Sequence, residues 1–410
     1  VISQNPARVR KGGSKNGGTL SCFVRGFSWL IVLALTPAYA ADTLQTPERH
    51  GGGISYLHDE VAEMPWSIHV LKIDRSRPDF EFHTTLSKSG VISLGTITEK
   101  MKAFPPALGK PIAAINGDFW KSGRYDGDPE GLQIMRGELI SAPGERSCFW
   151  IDTNGQPHAS NVLTQLEVTW PNKATTIIGL NEERSSRGTV LYTSAVGPST
   201  RTKKGRELIL ERDGQGDWLP LRAGHTYVAR VREVREKGNS PVRTNTLVLS
   251  LGPQSPSVST GAVLKISTAT TPDLQGVQTA IGGGPVLVRQ GKAAKFDTTV
   301  RHPRAAIGWN DKFYFFVVVD GRQAKLSVGM SLQDLAAYMI KLGCQDALNL
   351  DGGGSATFWI YGNVMNSPCY GHERPMANAL VLVQKPRAQN ASLQSTAAHE
   401  PPRNPRPRSE

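Results

Sequence analysis

Phe313-Tyr314-Phe315-Phe316-Val317-Val318-Val319-Asp320-Gly321-Arg322 is the stretch from which the fold is read. An unbroken apolar run of aromatic and β-branched residues predicts a strand buried on both faces. It stops at an acid, a glycine and an arginine, which is turn chemistry. Downstream, Ser331 is a good N-cap for a helix over 332–342, with Asp334 at N3 as a capping-box variant. Leu332, Leu335, Ala336 and Met339 share one face of that helix, and Gly343 ends it. Ala347-Leu348-Asn349-Leu350 then reads as a second strand. Strand, helix, strand is the pattern of a crossover that makes two strands parallel. As sheet neighbours they would bring Asp320 and Asp351 to one rim, where ligands bind in such sheets. The fold class expected is α+β, a mixed β-sheet with crossover helices and a β-rich insertion.

The second strand runs into Asp351-Gly352-Gly353-Gly354-Ser355-Ala356-Thr357. Three glycines in a row remove side-chain bulk and cost conformational entropy on folding, so stability alone does not ask for them. A ligand can approach such a backbone closely, with an acid on one side and two hydroxyls on the other. A purely structural turn, with Asp351 capping its own glycines, is the plainer alternative.

Working outward, Trp66 to Phe82 shows alternation on both sides of Arg75-Ser76-Arg77-Pro78 and reads as a hairpin. Residues 41–64 read as a polar, glycine-rich leader. A short helix is expected over 96–104, stopped by Pro105-Pro106. Pro111-Ile112-Ala113-Ala114-Ile115 is a buried strand that ends at Asn116-Gly117-Asp118-Phe119-Trp120. Residues 132–265 hold regularly spaced short strands, including 162–170, 208–211, 226–234 and 246–251, which suggest a β-rich insertion. Ala280 to Val288 carries another glycine turn, and 380–383 is the final strand. Four segments follow: a leader over 1–40, an N-terminal β-rich segment over 41–109, a main domain over 110–384, and a Pro/Arg/Ser-rich tail over 385–410, read as disordered.

The net charge of +12 suggests nucleic acid, but its distribution argues otherwise. Residues 1–40 carry +5 and residues 385–410 carry +3, which leaves +4 for the rest. No basic stripe interleaved with aromatics appears there, so nucleic-acid binding is not expected. Arg8, Arg10, Lys11, Lys15 and Arg25 precede an apolar run, Phe27 to Leu35, and then Ala38-Tyr39-Ala40. This is the layout of a secretory signal cleaved after Ala40. The run is too short for a permanent membrane span, so a periplasmic or secreted protein is expected. Cys344 and Cys369 bracket the triple-glycine segment, so a disulfide could pin it; buried free thiols are the alternative.

Polar clusters stand at the ends of these strands. His302-Pro303-Arg304-Ala305-Ala306-Ile307-Gly308, Val319-Asp320-Gly321-Arg322, Gly329-Met330-Ser331-Leu332 and Asn349–Thr357 occur in the order and spacing of the phosphodiester glycosidase family, which the chain resembles over roughly 110–384. Ala114-Ile115-Asn116-Gly117, Gly282-Gly283-Gly284-Pro285 and Glu373-Arg374-Pro375 look like outer blocks of the same domain. Asp118 stands where members commonly show a second glycine. The family includes bacterial proteins labelled exopolysaccharide-related.

The resemblance implies hydrolysis of a sugar-1-phosphodiester at the anomeric carbon. Such a reaction needs a carboxylate near the developing oxocarbenium ion, cations for the phosphate, and short polar groups for the sugar. Asp351 is the candidate nucleophile or water-activating carboxylate, with Glu373 or Asp320 as partner. Arg304, Arg322 and Arg374 suit the phosphate. Asn116, Asp118, His302, Ser355 and Thr357 suit the sugar, and the N–H groups of Gly283, Gly284, Gly353 and Gly354 are candidate anion donors.

Other classes are weaker. Ser355 lacks the second glycine of a nucleophile elbow, because Thr357 stands there, and no Lys follows the glycines as a P-loop requires. A non-catalytic carbohydrate-binding protein of exopolysaccharide biosynthesis or export would use Trp120, Trp309, Trp359 and Tyr370 as stacking platforms. Asp126-Gly127-Asp128-Pro129-Glu130-Gly131 mimics the first half of a calcium loop, although Gly137 replaces the bidentate glutamate at position twelve. Calcium is thus the one cofactor with even a partial ligand set.

Overall fold

The computed structural model describes residues 52–87, 90–144 and 146–386. The expected leader over 1–40 and nearly all of the tail lie outside the described residues. Strands dominate: among the described residues there are two α-helices, Ile97–Lys102 and Leu332–Lys341. The protein is therefore sheet-rich with few helices, closer to all-β than the expected balance.

Phe313–Val319 lies third in a seven-stranded sheet ordered Ile54–Val61, Trp66–Asp74, Phe313–Val319, Arg304–Trp309, Asp346–Asn349, Val286–Arg289 and Lys292–Ala293. Its side chains alternate between two cores. Tyr314, Phe316 and Val318 face a central core with Leu71, Ile73, Ile307 and Leu348. Phe315, Val317 and Val319 face the opposite way, onto Leu335, Ala336 and Met339 of the Leu332–Lys341 helix. This two-sided burial is why the run is continuously apolar. Ser331 caps the helix, accepting from the Asp334 N–H while the Asp334 side chain accepts from the Ser331 N–H. Each fully buried Leu or Met on its inner face contributes about 1.5–3 kcal/mol.

A five-stranded sheet covers the other side of the central core. Its order is Asn363–Val364, Phe358–Ile360, Lys110–Asn116, Ala379–Gln384, Phe80–Thr84. Ile112, Ile115, Phe358, Leu380 and Leu382 point into that core. Ala114, Val381 and Val383 point outward onto Ile97, Met101 and Phe104 around the first helix. That helix carries a full capping box between Thr96 and Glu99. A second five-stranded sheet, built on Ser147–Ile151, Thr279–Gly282 and Gln133–Met135, supplies Phe149 and Ile281 to the same core. An eight-stranded sheet runs from Leu163–Thr169 to Val263–Thr271 and buries its own core around Trp170, Leu210, Tyr227 and Leu249.

Several local expectations change. Trp66–Asp74 and Phe80–Thr84 do not form a hairpin; they enter different sheets. Arg75–Pro78 swings the chain across the core, so Leu71 and Ile73 meet Phe82 face to face. The hairpin partner of Trp66–Asp74 is Ile54–Val61, a strand inside the polar, glycine-rich segment read over 41–64. Every ladder in the seven-stranded sheet is antiparallel. Phe313–Val319 and Asp346–Asn349 are not neighbours, because Arg304–Trp309 pairs with both. The only parallel ladder among the named strands joins Gly179–Leu180 to Val190–Tyr192 in the eight-stranded sheet. Cys148, Cys344 and Cys369 are all free, so no disulfide pins the glycine loop; Cys344 is buried against the second helix.

Candidate active site

Two antiparallel steps restore what adjacency would have given. Since Arg304–Trp309 runs against both flanking strands, these run parallel to each other, and both C-terminal ends reach one rim. The start of the middle strand, at Arg304, reaches the same rim opposite Val319. Lys110–Asn116 brings Asn116 there from the facing sheet. Asn116 ties the glycine loop to that sheet: its Nδ2 donates to the Asp351 carbonyl at 2.5 Å, and its Oδ1 accepts from the Thr357 N–H at 3.2 Å. The Asp351 N–H donates to the Gly117 carbonyl at 2.9 Å.

Asp351 is 9% exposed. Burial raises its pKa; Ser355, the Gly352 N–H at 2.8 Å and the charge of Arg374 oppose that, while Glu130 adds to it. Ser355 Oγ favours the charged form from nearby without meeting full hydrogen-bond geometry, and it is fully buried. Thr357 Oγ1 is equally buried and has no hydrogen-bond partner. Two buried hydroxyls without a full hydrogen-bond partner, that of Ser355 beside the carboxylate, are costly to keep and point to a site built for something other than stability. Arg374 is exposed and lies over the Trp120 ring at 4.4 Å, which holds its charge near Asp351. Tyr370, 56% exposed, lies over Gly354: a Cβ there would sit 2.3 Å from the ring, so the loop needs glycine to admit it.

Asp118 is nearly inaccessible, and its pKa is pushed up to about 7, first by burial. Its Oδ2 accepts from the Gly131 N–H at 2.7 Å, its Oδ1 from the Phe119 N–H at 2.8 Å, and its own N–H donates to Asn378 Oδ1 at 2.8 Å. The carboxylate lies against Gly282, where an added Cβ would be 2.2 Å from Oδ2. Asp118 therefore packs the rim together rather than facing a sugar. Glu130, Arg146 and Asn378 belong to this region and were not singled out from the sequence as site residues. Their only signal was the acid between Pro129 and Gly131, read as part of a calcium loop.

The remaining candidates divide. Asp320 is 1% exposed, and both oxygens are committed: Oδ2 accepts from Ser67 Oγ at 2.8 Å and His69 Nε2 at 3.0 Å, Oδ1 from the Ser367 N–H at 2.8 Å and Asn366 Nδ2 at 3.1 Å. That replaces its expected catalytic task with an architectural one. Glu373 Oε1 accepts from the Thr98 N–H at 3.1 Å, which ties this carboxylate to the start of the first helix. His302 and Arg322 meet at 3.3 Å, with the guanidinium donating to Nδ1. Burial, then Arg304 and Arg322, lower the His302 pKa and keep the ring neutral. The exposed Arg322 guanidinium lies against Gly353. Arg304 is tied to backbone carbonyls, with Nε donating to Met330 O at 2.9 Å and a terminal nitrogen to Val300 O at 3.2 Å, which leaves part of its guanidinium for a ligand.

The expected anion donors at Gly283, Gly284 and Gly353 are also occupied, donating to the carbonyls of Ser147, Asn349 and Pro303 at 3.0, 2.6 and 2.9 Å. Trp309 and Trp359 are core residues, which leaves Trp120 and Tyr370 as sugar platforms. The calcium-like turn is dismantled: Asp128 is buried and lies 3.6 Å from Lys121 Nζ, and among the described residues no group of three acids, histidines or cysteines is placed to hold a metal.

Residues 223–383, which carry the glycine loop, Asp320 and Arg374, match the phosphodiester glycosidase family. The chain is related to that family. It is 29% identical over 134 residues to the bovine (Bos taurus) N-acetylglucosamine-1-phosphodiester alpha-N-acetylglucosaminidase, covering 28% of this chain and 25% of that protein. It is 36% identical over 87 residues to the SPbeta prophage-derived uncharacterized protein YomE of Bacillus subtilis (strain 168), covering 21% of this chain and 13% of that protein. The alignments thus span a quarter or less of these curated relatives. A hypothetical protein from Synechocystis shares the fold with a TM-score of 0.65 at 19% identity, over 81% of this chain and 62% of the other. A protein from Burkholderia pseudomallei K96243 does so with a TM-score of 0.58 at 20% identity, over 78% and 74%.

Proposed function

We propose that this protein hydrolyses a sugar-1-phosphodiester, such as an N-acetylglucosamine-1-phosphodiester, or a related glycosidic bond in envelope or surface polysaccharide. The observation that carries the reading is the buried Asp351 carboxylate, set on a triple-glycine loop, with the Arg374 charge acting on it, within the family-matched segment. The leaving group is a phosphodiester oxygen, already a weak base, so departure needs little protonation. What the site must supply is negative charge at the anomeric carbon and positive charge at the phosphate. Asp351 answers the first need. Arg374 and Arg322, both exposed, answer the second. Neutral His302 and the buried Ser355 and Thr357 hydroxyls offer polar contacts to the sugar. Ser355 has no base bonded to it, which disfavours serine hydrolysis. The basic, apolar, Ala-Tyr-Ala order of the N-terminus supports export to the periplasm or medium.

Sugar release from UDP-GlcNAc and a GlcNAc-1-phosphodiester by the full chain tests this, with Asp351→Asn as control. Release by wild type and at least a hundredfold less by the variant is expected, with thermal midpoints alike. Exposed Tyr370 over Gly354, together with Trp120 under Arg374, favours a second reading, a non-catalytic carbohydrate-binding protein of exopolysaccharide biosynthesis or export. Sugar binding by both proteins, with no sugar released by either, selects it.

A further inference from the structure

A retaining or inverting glycosidase works with two carboxylates, so the reading above, on which this inference rests, requires a partner for Asp351. Asp320 is saturated by four hydrogen bonds and Glu373 is bound to a helix end. Glu130 is differently placed. Its main chain is fixed: its N–H donates to Phe119 O at 3.0 Å, and the next N–H, of Gly131, donates to Asp118 Oδ2 at 2.7 Å. That anchor is continuous with the Gly117 carbonyl that receives the Asp351 N–H. Gly144 packs so closely that an added Cβ would lie 2.4 Å from the Glu130 carbonyl. The side chain, by contrast, is one-third open at 33% exposure. Arg146 Nε lies 3.1 Å from its Oε2, and Arg146 is itself held over the Phe119 ring at 4.2 Å. The charge of Glu130 reaches both Asp351 and Asp118 and raises both carboxyls. It is a carboxylate with a rigid base, an accessible head and a cation that orients it.

We propose that Glu130 is the second catalytic carboxylate, the base that activates water, with Arg146 as its positioning residue. In the first step an Asp351 oxygen bonds to the anomeric carbon while the bond from that carbon to the phosphodiester oxygen breaks, and the phosphate departs with the electron pair. In the second, water oxygen bonds to the anomeric carbon, Glu130 takes the water proton, and the ester bond to Asp351 breaks with its electrons returning to the carboxylate. Glu130 then loses the proton to solvent.

The test uses the full chain with a GlcNAc-1-phosphodiester. Glu130→Gln and Glu130→Ala are expected to lose about 10²–10⁴ of kcat with thermal midpoints near wild type. Added azide, which needs no base, restores turnover of Glu130→Ala and leaves a glycosyl azide with the anomeric configuration of the substrate. Arg146→Gln is expected to lower kcat with KM little changed and to shift the pH profile of turnover, which a merely structural residue would not do. Wild-type release with Glu130→Gln within threefold of it overturns this assignment and leaves the phosphodiesterase reading intact. Lost turnover of Glu130→Ala without any azide product also overturns it. No release by wild type removes the reading and this assignment together.

Discussion

Asp320→Ala tests whether an acid at a ligand-bearing rim is there for chemistry or for architecture. The carboxylate joins three pieces of chain: the Trp66–Asp74 strand through Ser67 and His69, the end of its own strand, and the Asn366–Ser367 turn that leads to Tyr370. Removing it does not orphan all four donors equally. Asn366 keeps the Ala356 carbonyl at 3.1 Å, and Ser67 keeps His58 at 2.9 Å. The Ser367 N–H loses its acceptor, and buried His69 Nε2 is left with Ser67 Oγ at 3.3 Å. An orphaned buried donor costs about 1–3 kcal/mol, and a hydrogen bond to a charged group contributes about 1.5–3 kcal/mol. With one donor orphaned and one hydrogen bond to a carboxylate lost, the expected loss is about 4 kcal/mol, a large share of a typical stability of about 5–15 kcal/mol. Urea unfolding followed by tryptophan fluorescence should show the midpoint falling by more than about 1 M, given a slope of about 3 kcal/mol/M. Asp320→Asn, which keeps an acceptor for Ser367 but turns an amide toward His69, should fall between. A variant within about 1 kcal/mol of wild type would refute the reasoning. If such a stable variant had also lost turnover, Asp320 would return to the chemistry.

Asp118 predicts a pH dependence of stability. Its folded pKa, about 7, lies above the ordinary 3.8, so the folded state binds that proton more tightly than the unfolded state does. Stability from this group is complete below about pH 4 and is lost as pH rises through about 7, amounting to about 4 kcal/mol at 1.36 kcal/mol per unit. Urea midpoints at pH 5 and 8 should differ in that direction, and the difference should flatten in Asp118→Asn; an unchanged difference sinks the assignment. Gly282→Ala drives a methyl to 2.2 Å from Asp118 Oδ2 and should destabilise by about 1–3 kcal/mol. Gly354→Ala first meets the exposed Tyr370 ring, which can swing aside into solvent, so thermal stability should barely move while sugar affinity changes; equal melting losses in the two variants would contradict this contrast.

Local chemistry was enough to specify several elements in advance. The apolar run at 313–319 is a strand buried on both faces, and the second helix begins at the Ser331–Asp334 capping box. These features depend on side-chain periodicity and on interactions three or four residues apart, which sequence displays directly. The ordered motifs around His302, Asp320 and Asp351 likewise disclosed the family relationship, because their spacing is a property of the chain. What sequence does not display is which strand lies between two others. That alone turned the presumed parallel neighbours into a three-strand antiparallel set, though two reversals still bring Asp320, Arg304 and Asp351 to one rim.

Tertiary structure also decided which polar residues are free. Asp320, Arg304 and Asp351 look equally available in sequence, yet Ser67 and His69, more than 200 residues away, take one oxygen of Asp320 and Asn366 and Ser367 the other, while carbonyls hold part of Arg304. Glu130 was hidden in a calcium-like turn until Phe119, Asp118 and Arg146 fixed it against the segment whose Gly117 carbonyl receives the Asp351 N–H. A residue type states which bonds a side chain can make; only the folded chain determines which donors and acceptors reach it first, and therefore which groups remain for a substrate.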